Sequence, residues 1–202
     1  MRILEVFLVA ALVAGLTPAL AAARSPIQTQ RLMATSVPLE ASPTSSVLAA
    51  VWRDRLMAMR KKKLATLSNP SANSSRPASN VTVNAFAASF TDGDKTIILS
   101  ALFTTPECVN LSGAAAPNLN NCPVRIAVLQ NGEVNVVASA NDFPFVAALK
   151  DLANDQANEF DNQTSRDKTL VTFDPATHEI TTLLILNGVR DTEKSTPIRL
   201  PY

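Results

Sequence analysis

Residues 123–139 read PVRIAVLQNGEVNVVAS: two β-rich runs, Pro123 to Gln130 and Glu133 to Ser139, joined by Asn131-Gly132. A two-residue connection of the type I′ kind needs positive φ at both positions, and Asn followed by Gly is the pair that adopts it at least cost. The stretch therefore predicts a tight antiparallel hairpin. Working toward the N-terminus, Val81 to Phe90 and Thr96 to Phe103 are again β-rich and flank the polar turn Thr91-Asp92-Gly93-Asp94-Lys95. Toward the C-terminus, Lys168 to Phe173 and Glu179 to Asn187 flank Asp174-Pro175-Ala176-Thr177-His178, with the proline where a strand must break.

Between the second and third hairpins, Asp142 or Phe143 is expected to begin a helix with Pro144 in its first turn. Phe145, Leu149, Leu152, Gln156 and Phe160 would share one face of it. Strands adjacent in sequence and joined by short turns are antiparallel, so the expected fold class is α+β. Residues 80–202 are expected to form one twisted antiparallel sheet of about six strands, built from three hairpins, with that one helix packed on it. The segment after Asn187-Gly188 is polar with Pro197 and Pro201, and is expected to be an edge strand or a loose end.

The first 23 residues have a different character. Arg2 precedes an apolar run from Val6 to Leu16, then Pro18, then the small residues Ala19 to Ala23. Basic, apolar and small, in that order, is the pattern of a cleavable signal peptide. The run is shorter than the ~20 residues of a bilayer-spanning helix, and no second long apolar run follows, so no transmembrane segment is expected after cleavage. The expected location is secreted or periplasmic. Cys108 and Cys122 are the two cysteines of the chain, and in an oxidising compartment such a pair bridges. A metal pair is the alternative, but two thiols need further ligands and no histidine lies near them in sequence. Neither a metal nor a cofactor is expected.

Net charge is only +1, and 47% of residues are hydrophobic against 17% charged. The charge is unevenly placed. Residues 24–79 hold nine basic and two acidic residues, and residues 80–202 hold eight basic and fourteen acidic. The first segment is expected to be a basic arm on an acidic body. Its first part, to Ser46, is broken by Pro26, Pro38 and Pro43 and is expected to be extended or disordered. Ser45 or Ser46 then caps a helix over about 46–67, with Leu48, Val51, Trp52, Leu56 and Met59 on one face. Ser68 to Ser79, SNPSANSSRPAS, is expected to be a flexible linker.

Trp52, Arg53, Arg55, Arg60, Lys61, Lys62 and Lys63 are the candidate interaction residues of this arm. They fit an anionic membrane surface, a polyanion bound through phosphates, or a protease cutting at Arg60-Lys61-Lys62-Lys63. The plainer alternative docks the apolar face on the body and leaves the lysines solvated. Nucleic acid is not the expected partner, because aromatic residues to stack bases are missing apart from Trp52.

Motifs of chemistry are weak. Gly93, Gly113, Gly132 and Gly188 stand singly in turns or loops, not as a phosphate-cradling run. His178 lacks the second histidine of a zinc protease motif, and no serine sits in a Gly-x-Ser-x-Gly elbow. Asp151, Asp155 and Glu159 repeat every four residues, a spacing that usually marks a solvated helix face. Asp92-Gly93-Asp94 lacks the later ligands of a calcium loop. Asn73, Asn80, Asn110 and Asn162 head glycosylation sequons that count only in a eukaryotic host. The sequence thus favours an exported, non-enzymatic binding module that meets a protein or an anionic envelope component through its basic arm. The alternative is a secreted hydrolase with a site assembled from dispersed carboxylates and His178.

Overall fold

The computed structural model describes residues 25–39, 42, 46–67, 82–104, 107–111, 118–147, 166–191 and 197–201. The expected signal peptide, the linker over 68–79 and most of the expected helix after Phe145 lie outside these residues. The described chain is built mainly of antiparallel strands with two helices, in keeping with the α+β class.

The strands form two sheets, where one of about six strands was expected. The larger contains β2 (Met33–Pro38), β3 (Thr82–Asp92), β4 (Lys95–Phe103) and β6 (Leu119–Gln130) in that order, with β7 (Glu133–Val146) on the far side of β6. The two-residue strand β5 (Val109–Asn110) pairs with Asn121 and Asn120 of β6, past the last β4 partner, Val124. The smaller sheet runs β1 (Gln28–Arg31), β8 (Lys168–Asp174), β9 (Glu179–Leu186), β10 (Val189–Asp191), and β11 (Ile198–Arg199) also pairs with β9. The β6–β7 and β9–β10 turns are both Asn-Gly with positive φ at both residues, 52° and 81° at Asn131-Gly132 and 55° and 78° at Asn187-Gly188.

The physical reason for two sheets lies in β4. Its run Ile97 to Leu102 is buried without a break, so both faces of the strand must be covered. On one face Ile97, Leu99 and Ala101 join Phe86, Ala88 and Phe90 of β3 and Val124 and Ile126 of β6. Val171, Phe173 and Ile180 of the smaller sheet cover them. The opposite face, with Val83, Ala85, Leu102 and Ala127, is covered by α1 (Val47–Val51) and α2 (Arg53–Leu67) through Val51, Trp52 and Leu56. The order of layers is therefore small sheet, large sheet, helices.

Within the stretch expected to be extended or disordered, two consecutive strands form, one for each sheet. Gln28–Arg31 pairs with β8, and Met33–Pro38 pairs with β3. The switch is at Leu32, whose side chain is buried and whose N–H donates to the Thr169 carbonyl at 2.9 Å. Where β1 leaves β3, two glutamines take over: Gln28 donates to the Thr91 carbonyl at 2.6 Å and accepts from its N–H at 3.0 Å, and Gln30 accepts from the Ser89 N–H at 3.3 Å. Side-chain amides thus satisfy backbone groups that would otherwise form an open sheet edge. Both β1 and β2 thus find their partners beyond residue 79, in β8 and β3.

A second correction concerns residues 142–147. The expected helix start is instead the end of β7, with Phe145 opposite Asn120 and Val146 opposite Leu119. Phe143, Phe145 and Ala147 alternate into the core between the sheets, so a period of two prevails over the helical reading of Pro144. The proline is tolerated because β7 pairs with β6 alone and is bulged beside it, with an irregular register between Cys122 and Val124. Phe145 then joins a ring cluster, 4.8 Å from Phe86, 6.2 Å from Phe143 and 6.4 Å from Phe103 between centroids.

Cys108 and Cys122 form a disulfide. The two ends of the loop it closes are paired with each other, since Val109 and Asn110 of β5 stand opposite Asn121 and Asn120. Two measurements check this architecture. Phe145→Ala should cost roughly 3–5 kcal/mol in denaturant unfolding, the range for a fully buried aromatic ring. Replacing both cysteines by serine should cost about 3 kcal/mol on the chain-entropy account of a loop of this length.

Candidate functional site

The seven candidate residues of the basic segment all fall on the helix layer, but not all face outward. Ser46 caps α1 by accepting from the Ala49 N–H at 3.4 Å. In place of one helix over about 46–67 there are two pieces, interrupted at Trp52, whose backbone leaves helical geometry at φ −107°, ψ 18°. The indole lies inside the protein, and only 1% of Trp52 is exposed. Its Nε1–H donates to Ser100 Oγ of β4 at 3.0 Å, which satisfies the one polar atom of a buried indole.

Arg125 of β6 sits directly across from Ser100 in the sheet. Its guanidinium lies 4.7 Å from the Trp52 ring centroid and donates to the Val51 carbonyl at 2.7 Å. It also grips Asp54 with both Nη atoms, at 2.5 and 2.7 Å. The Val51 carbonyl, next to the helix break, thereby gains a charged donor. Hydrogen bonding from Arg125 is the main cause that brings the Asp54 carboxyl down from 3.8 to about 2, against a smaller opposing effect of partial burial. Arg55 pairs with Glu107 at 2.7 Å, beside the disulfide, and Arg60 donates to the Leu39 carbonyl at 3.1 Å.

The seven residues thus divide into two groups. Trp52 is core, while Arg55 and Arg60 are half-buried and bonded to the body. Arg53, Lys61 and Lys62 are exposed, and Lys63 is half-buried. The exposed cations of the segment therefore lie on the outer side of α2, whose first turn is held to the sheet by the Trp52, Arg125 and Asp54 contacts. The sequence reading missed Ser100, Asp54, Arg125 and Glu107. Arg125 carried one signal: it is the lone charge inside PVRIAVLQ, a run otherwise suited to a strand covered on both faces.

His178 stands in the β8–β9 turn with φ 54°, half-exposed, its carbonyl accepting from the Leu200 N–H at 2.9 Å. Its Nε2 is 3.9 Å from Asp92 Oδ2, at the end of the β3–β4 hairpin. Among the described residues, no three His, Cys, Asp or Glu side chains gather as metal ligands. Asp151, Asp155 and Glu159 lie outside the described residues.

The Asp54 contact sets a pH dependence. Its folded pKa lies below the unfolded value, so its contribution to stability is complete above about pH 4 and fades as pH falls toward 2. Asp54→Asn should remove that part of the acid sensitivity while costing up to about 1 kcal/mol at neutral pH, since this carboxylate is largely open to water. Ser100→Ala leaves the buried indole N–H without its acceptor and should cost about 1–3 kcal/mol in the same unfolding measurement.

No family model matches the sequence, and no curated protein or solved structure matches it either, so the functional reading rests on this chain's own residues.

Proposed function

We propose that the chain is an exported, non-enzymatic binding module that attaches to an anionic component of the cell envelope through the outer side of α2. The observation that carries this reading is the fixed display of Arg53, Lys61 and Lys62 on a helix that the Trp52–Ser100 and Arg125–Asp54 contacts hold against the sheet. A charge run on a loose tail costs conformational entropy to bind, whereas one held on a scaffold has little left to lose. The disulfide fits an oxidising compartment, where such an attachment would operate. Residues 80–202 hold fourteen acidic against eight basic residues, so the excess positive charge of the chain lies in the segment that contains α2.

The test is co-sedimentation of the chain beginning at Arg24 with isolated envelopes, at low and high salt. Wild type should be retained at low salt and released at high salt, because exposed ion contacts are screened. Lys61→Glu with Lys62→Glu should reduce retention about tenfold or more, since each basic residue near an anionic surface is worth about 1 kcal/mol. Equal retention of wild type and double variant would contradict the proposal. The emission of Trp52, the one tryptophan, checks that the variant is folded.

A further inference from the structure

The outer side of α2 holds more than cations. Arg53, Met57 and Lys61 follow one another at four-residue spacing and form a single ridge. Met57 on this ridge is 57% exposed, whereas the neighbouring Leu56, about 100° round the helix, is 4% exposed and fixed in the core under the helices. Lys62 is exposed about 100° round the helix from Lys61, and Val47 of the preceding helix is 36% exposed. The ridge therefore sets an unbranched apolar side chain between two cations. A soluble polyanion gives a methionine nothing to bury against. A phospholipid surface does, because phosphate headgroups and acyl chain ends lie within one side chain's length of each other.

Resting on the attachment reading above, we infer that the partner of this surface is the headgroup layer of an anionic phospholipid bilayer. Arg53, Lys61 and Lys62 sit among the phosphates and Met57 reaches the acyl boundary. The protein docks folded. Asp54, the acidic residue on this part of α2, is held by Arg125 and so adds little repulsion. Glu107, which faces α2 from the turn before β5, is likewise engaged, by Arg55. No helix among the described residues is long and apolar enough to cross a membrane, and the inference needs none, since the contact is peripheral.

The experiment is flotation of the chain beginning at Arg24 with vesicles of phosphatidylcholine alone and with phosphatidylglycerol added in roughly equal part. The expected result is binding to the anionic vesicles only, lost at about 0.5 M salt, where screening reaches within a few ångströms. Each cation is worth about fivefold in affinity, so Lys61→Gln with Lys62→Gln should bind about 25-fold more weakly. Met57→Ser should weaken vesicle binding about fivefold through the lost apolar contact. Trp52 emission should not shift on binding, because the indole stays under the helices.

Equal binding to neutral vesicles, or a Trp52 shift showing the helices lifted from the sheet, would overturn the inference. So would displacement by soluble polyphosphate together with no effect of Met57→Ser, which would mark a soluble polyanion as the partner. Retention by envelopes without binding to anionic vesicles would overturn the lipid partner and leave the attachment reading standing. Loss of both would end both.

Discussion

A strand whose side chains are apolar on both faces has to be covered twice, and β4 is such a strand. Ile97, Leu99 and Ala101 point to the small sheet, while Ile98, Ser100 and Leu102 lie on the helix side. Fully burying each large aliphatic side chain is worth roughly 1.5–3 kcal/mol, so neither face can be left to water in a chain of ordinary stability. The small sheet, whose strands other than β1 come late in the sequence, closes one side. The other side falls to residues 47–60, which come before the large sheet's main strands. The most cationic stretch of the chain is thereby built into its architecture.

The same requirement explains how the N-terminal segment is used. A segment that begins in one sheet and ends in the other ties the two together at one edge, with Leu32 at the crossing and Thr169 beneath it. Thr169 serves both sides, since its carbonyl accepts from Leu32 and its hydroxyl accepts from the Val146 N–H at 2.8 Å. At the opposite end of the large sheet, Phe143 and Phe145 bring β7 into the ring cluster with Phe86 and Phe103. Covalent closure comes from the disulfide, whose Cys122 is buried in the core between the sheets, and the neighbouring Glu107 reaches across to Arg55. Strand crossing, ring cluster and helix layer thus depend on contacts between residues far apart in sequence.

That distance marks what could be read from sequence and what could not. Strand runs separated by Asn-Gly or Gly-Asp turns are local signals, and so is the alternation of Leu48, Val51, Trp52, Leu56 and Met59 on a helix. Both can be inferred from neighbours within a few positions. The second sheet could not be, although the run from Ile97 to Leu102, apolar but for Ser100, hinted at cover on both sides. The strand nature of Gln28 to Pro38 was hidden because its residues are polar: its order comes from partners more than forty positions away and from two glutamine side chains standing in for backbone. Around Pro144, a proline that opens helices in isolation sits on a bulged edge strand, where tertiary pairing overrides the local preference. At the candidate site, the exposed lysines were legible as charges. Docking of the face that carries Trp52 was legible from its helical spacing as one alternative, but the contacts with Ser100 and Arg125 were not, because they depend on the register that sets Ser100 opposite Arg125.

The functional account follows from this placement. Cations on a detached tail would be one electrostatic feature among many, whereas cations on a layer that the core requires are displayed in one orientation. The central claim is that the segment before residue 80 completes the fold rather than decorating it. The most direct measurement is urea unfolding of a chain beginning at Asn80, followed by backbone circular dichroism beside the chain beginning at Arg24. The account requires that the shorter chain show no cooperative transition, since it lacks two strands and the cover of one sheet face. A sharp unfolding transition in the shorter chain, with stability close to that of the longer one, would contradict it.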